Sequence, residues 1–154
     1  MALSMDGNRR RAPSPGFFAA IAAVLVVTAV GYGSTIRFFK ASEPGEVRSA
    51  AFLTRVAANI NPLFPRQVDA ETEITRVSAL EGVFVYHYRL VNLAVASADA
   101  ALVAELKPTV TKTSCGNPST LNSFLKKDVT LRYFYSDKAG LALASFDVTL
   151  ADCG

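Results

Sequence analysis

Apolar and polar positions divide this chain into an apolar run followed by a series of shorter periodic segments. Phe17 to Ile36 contains no charged residue. At about 1.5 Å per residue, twenty helical residues reach roughly 30 Å, the thickness of a bilayer's hydrocarbon core. From Glu46 to Asn61 the apolar residues Phe52, Val56 and Ile60 recur every fourth position, joined by Leu53 and Ala57, which predicts one face of an amphipathic helix. Asn61-Pro62 and Pro65 end it.

Strict alternation then takes over. Thr72–Ala79 and Val83–Asn92 read as two strands around Glu81-Gly82. Phe84, Tyr86, Tyr88 and Leu90 share one face of the second strand, and Val83, Val85, His87, Arg89 and Val91 share the other. Ser97 is a candidate N-cap for a helix from Ala98, striped by Leu102, Leu106 and Val110 and expected to kink or split at Pro108. Asn117-Pro118 opens a short helix. Val129–Ser136 is a third strand, Asp137–Gly140 a hairpin turn and Leu141–Leu150 a fourth strand. The order predicts an α+β domain over residues 41–154: an antiparallel four-stranded sheet with helices on one face, preceded by one transmembrane helix.

Charge refines this picture. The formal +3 of the whole chain divides into +4 for residues 1–40, where Arg9, Arg10, Arg11, Arg37 and Lys40 face Asp6 alone, and −1 for the rest. The basic excess therefore belongs to membrane topology, and the domain has no nucleic-acid footprint. Residues 1–16 read as a polar cytoplasmic tail. Residues 17–36 read as an anchor in inner-membrane lipid, with the arginines holding the N-terminus in the cytoplasm and the domain in the periplasm. The competing reading is a cleaved export signal, with Phe17–Val30 as its apolar region and Gly31-Tyr32-Gly33 as its processing site. Both readings deliver the domain outside the cytoplasm.

In such a compartment the two cysteines, Cys115 and Cys153, are expected to pair, the alternative being two unlinked buried thiols. Neither a metal set nor a cofactor motif is present. The one histidine, His87, lies mid-strand on the side away from the aromatic residues, where a solvated sheet residue is expected; an enzyme using it would need an orienting carboxylate. Ser114-Cys115-Gly116 lacks the flanking glycines of a nucleophile elbow. Tyr86, Tyr88, Tyr133 and Tyr135 fall on core faces and are read as packing, not as a base-stacking platform. The outward sheet face is less polar than alternation requires. Its Val83, Val85, Arg89 and Phe134 form a candidate partner face, covered either by another element or by a second protein.

The segment from Cys115-Gly116-Asn117-Pro118, through a short helix and the strand Val129–Tyr135, to a turn at Asp137–Gly140 and a strand ending at Asp152-Cys153 is similar to the C-terminal part of the pilotin lipoproteins of bacterial type II secretion. It is also similar to other exported bacterial proteins. The resemblance implies an α+β domain with that disulfide and, for the task, an accessory factor that escorts a secretin. The lipidation cysteine of pilotins has no counterpart after the apolar run. The expected function is a non-catalytic periplasmic binding or assembly module with a protein partner, the alternative being a pilotin-like secretion accessory factor.

Overall fold

The computed structural model describes residues 43–92 and 100–154. The anchor at residues 17–36 and the cap at Ser97 lie outside them. Among the described residues no helix is long and apolar enough to cross a membrane.

The first helical segment is two helices, α1 (Pro44–Arg48) and α2 (Ala50–Ile60), where one was expected from Glu46. Pro44 starts α1 early, as proline's fixed φ suits a first turn. Ser49 then leaves the helical region at φ −60°, ψ 140° and caps α2, its Oγ accepting from the Phe52 N–H at 3.2 Å. The predicted stripe is in place: Phe52, Leu53, Val56 and Ala57 are buried.

Five strands follow, where four were expected: β1 (Arg66–Gln67), β2 (Thr72–Leu80), β3 (Val83–Leu90), β4 (Thr130–Ser136) and β5 (Ala142–Val148), in spatial order 1-2-3-4-5. β1 is only two residues long, too short for any periodic signal. Three pairings are antiparallel, but β3 and β4 run parallel, so the sheet is mixed and the all-antiparallel expectation is corrected. The physical reason is the connection. Parallel neighbours need a crossover, and the helices α3 (Ala100–Gly116) and α4 (Pro118–Ser123) between β3 and β4 supply it. Two hairpins are thereby joined side by side in the same sense.

α3 is continuous through Pro108 rather than split there. Pro108 and Ala104, whose carbonyl loses its N–H partner to the proline ring, are both exposed, so water can meet that carbonyl. The helices contribute Phe52, Leu53, Leu106, Val110 and Leu125 to the same cluster as Phe84, Tyr86, Tyr88, Leu131, Tyr133, Tyr135 and Phe146 from the sheet. The tyrosines are therefore core, as expected. Tyr86 stacks on Tyr133 at 5.4 Å between ring centres, Tyr88 on Tyr135 at 5.1 Å, and Tyr133 on Phe146 at 5.6 Å.

Backbone and side-chain hydrogen bonds lock the ends of the elements. Gly82 turns the first hairpin at φ +67°, donates to the Arg48 carbonyl at 2.7 Å and accepts from the Thr130 N–H at 2.9 Å, joining α1, the hairpin and β4. In the second turn Asp137, buried, accepts from the N–H groups of Ala139 and Leu141 at 2.8 and 2.9 Å. Asn61 performs a similar task at the sheet edge. Its Oδ1 accepts from the Val77 N–H at 2.8 Å and its Nδ2 donates to the Val77 carbonyl at 3.0 Å, standing in for a neighbouring strand where β1 no longer reaches. Asn61→Ala orphans both backbone groups and is expected to lower stability by about 1–3 kcal/mol in urea unfolding. Asn61→Asp, which keeps only the acceptor, should fall between.

Candidate binding surface

All the helices that feed the core lie on one side of the sheet, and among the described residues no helix packs on the other. The open face is built from alternate residues of four strands, with their cross-strand neighbours fixed by register. Glu73 lies opposite Arg89, Arg76 opposite His87 and Ser78 opposite Val85. Across the parallel seam Val85 meets Arg132 and His87 meets Phe134, and Arg132 in turn faces Asp147.

Two ion pairs lie on this face, and exposed Arg76 stands outside them. Arg132 donates from Nε and Nη2 to the two carboxylate oxygens of Asp147 at 2.7 and 2.8 Å. That fork holds the Asp147 carboxyl below its usual range, hydrogen bonding being the largest cause. Arg89 pairs with Glu73. The pairs leave an apolar tract between them. Val83 and Phe134 are half-buried, and Leu80, opposite Val83 at the hairpin end, is 57% exposed. Val85 is only 7% exposed, so of the four residues read from the sequence Val83, Arg89 and Phe134 remain to meet a partner directly. Leu80 lies one residue past the expected strand Thr72–Ala79, and alternation counted from Thr72 would put it on the inner face. The register shift between Ile74 and Arg76 moves it outward.

Among the described residues no carboxylate orients His87. Its Nε2 lies 2.8 Å from Ser78 Oγ, and its ring tilts against Phe134 at 5.5 Å. Burial, then the positive charge of Arg76, lower its pKa to about 4, so it is neutral at pH 7. The sign of the consequence is fixed. The unfolded chain takes up this proton near pH 6.5 and the folded chain does not until about pH 4, so stability falls as pH drops through that window. Urea unfolding at stepped pH is expected to show a decline between 6.5 and 4 that is absent in His87→Gln. The carboxyls held below their usual range, Asp147 and Asp152, also lose their contribution as pH falls, but only as they protonate, at the acid end.

On the helical side, Cys115 at the end of α3 is bonded to Cys153 in the final turn Leu150–Cys153, with Cα atoms 5.4 Å apart. Beside it runs a groove of about 500 Å³ lined by Val103, Ala104, Lys107, Pro108, Lys112 and Asp152, among others. Its lysines and its proline are spread along a helix with no motif to announce them. Among the described residues no group of His, Cys, Asp and Glu is placed to hold a metal ion.

No protein-family model and no curated protein matches the sequence. Solved structures do match the fold. The type II secretion pilotin EpsS of Vibrio vulnificus superposes with a TM-score of 0.56 at 17% identity, over 71% of this chain and 96% of that one. The pilotin AspS of Vibrio cholerae gives 0.51 at 16% identity, over 68% and 91%. The domain shares its fold with these two type II secretion pilotins. PA3611 of Pseudomonas aeruginosa, described as a secreted protein, shares it with a TM-score of 0.57 at 16% identity, over 74% and 99%. The resemblance read from Cys115 to Cys153 thus extends to the α+β domain. The pilotin fold here carries the disulfide and one sheet face without a described helix over it.

Proposed function

We propose that this protein is a non-catalytic, pilotin-like accessory factor of a secretion system. In this reading residues 17–36 tether it to the bacterial inner membrane and its domain binds a secretin subunit in the periplasm. The observation that carries the reading is the match of its fold to two type II secretion pilotins over more than nine-tenths of each. The open sheet face supports it. A tract of Leu80, Val83 and Phe134 bordered by self-paired charges suits a protein surface, since the ion pairs need not be desolvated one by one on docking. The setting of His87 supports a non-catalytic role, because its neighbours on the face are Arg76, Ser78 and Phe134, and the two carboxylates of the face are held by arginines.

A photo-crosslinking residue at Arg89, whose side chain is exposed on this face, tests the assignment in living cells. A crosslinked band that reacts with antiserum against the bacterium's own secretin is expected, and none from Thr54, exposed on α2. Equal crosslinking from both positions, or from neither, contradicts the proposal.

A further inference from the structure

The two edges of the sheet are treated differently. At the β2 edge the open backbone is met by β1 and then by the Asn61 amide on Val77, and Pro65 and Arg66 guard the approach. At the other edge β5 pairs only with β4, and no described residue outside the sheet donates to or accepts from the backbone of Ala142–Val148. The usual guards are missing: the strand ALASFDV has no proline and no lysine, and its one charge, Asp147, is turned to Arg132. Ser145 is exposed, and Ala144–Val148 beyond the register shift keep regular pairing geometry.

The groove on α3 lies beside the turn that follows this strand. α3 packs against β5 and against the turn that follows it. Lys107 Nζ lies 3.8 Å from Asp152 Oδ1 and is close enough to Asp147 to help hold its carboxyl down. Lys107 therefore stands at the margin between the helix and the strand edge. Val103 and Pro108 give the groove an apolar wall. Ala104 brings a carbonyl without an intrahelical donor, and Lys112 an exposed ammonium with no carboxylate partner among the described residues.

We infer that β5 is a docking edge: an extended, acidic segment of the partner adds to it as a further strand, its side chains reaching the groove between α3 and the C-terminal turn. Open backbone donors and acceptors select an extended chain, the apolar wall takes one alternate side chain, and Lys112 selects a carboxylate. A helix laid in the groove would leave the strand edge unmatched. The inference rests on the function proposed above and says how the same partner is held.

The test uses the full chain in detergent and overlapping peptides tiled through the secretin of the same bacterium. One acidic peptide is expected to bind. N-methylation of its alternate amides of one parity should weaken binding about tenfold or more, and of the other parity should leave it unchanged, because a paired strand directs only every second N–H at its neighbour. Lys112→Glu should weaken the same peptide, and amide exchange should slow across Ala144–Val148. Binding that is indifferent to the parity of methylation, or unaccompanied by protection of β5, overturns the docking edge and leaves the accessory function standing. Failure of the intact secretin to bind removes the function and the docking edge together.

Discussion

Tyr133→Ala is expected to lower stability by about 3–5 kcal/mol, a large share of the roughly 5–15 kcal/mol that holds a domain of this size. The ring is fully buried on a central strand, between Tyr86 at 5.4 Å and Phe146 at 5.6 Å, so its loss opens a cavity that neighbouring strands cannot close. The hydroxyl matters less. It lies 2.8 Å from Ser114 Oγ, which also donates to the Val110 carbonyl at 2.7 Å, and Tyr133→Phe leaves that second bond in place. A cost of about 1 kcal/mol is expected for Tyr133→Phe. Burial raises the pKa of this phenol well above the usual tyrosine value, with the Ser114 bond offsetting part of the rise. The measurement is chemical denaturation of both variants beside wild type. Equal effects would mean that the hydrogen bond, rather than the packing, holds the layer.

The second large effect concerns the Cys115–Cys153 bond. It closes 38 residues of chain, for which the loop-entropy relation gives about 4 kcal/mol. That stretch contains α4, β4 and β5, and the bond ties the last turn to the end of α3. The double variant Cys115→Ser, Cys153→Ser is expected to unfold at markedly lower urea concentration than wild type. Dithiothreitol should move wild type to the same midpoint and leave the variant where it is. A midpoint unaffected by reduction would place the closing constraint in the Lys107–Asp152 contact and the packing of the final turn instead.

Much of this architecture is legible in local pattern. The alternation of Phe84, Tyr86, Tyr88 and Leu90 names the core face of β3, and all four are buried. Asp137–Gly140 is readable because an aspartate that can accept from its own turn and a glycine at φ +85° leave few alternatives. The pairing of β3 with β4 is not local. Which strand sits beside which, and in what sense, is decided by where the helices of the crossover pack. Its trace was nevertheless in the sequence, as the impure outer face. β3 and β4 are central, flanked on both sides, and their neighbours shield the outward Val85, so an apolar residue is tolerated there. The outward displacement of Leu80 follows from the irregularity near Thr75, which no count of alternating residues anticipates. The candidate surface was therefore half visible. Val83, Arg89 and Phe134 came from alternation, whereas Leu80, the edge of β5 and the groove on α3 required the register and the packing.

The proposed function is that of an accessory domain that holds a secretin in the periplasm. Calorimetric titration of the full chain, solubilised in detergent, with purified secretin from the same bacterium tests this most directly. Saturable binding with one domain per secretin subunit is expected, weakened when Phe134 is replaced by aspartate in a protein that stays folded. No heat of binding under conditions where both proteins are intact would contradict it, and so would binding that Phe134→Asp leaves unchanged.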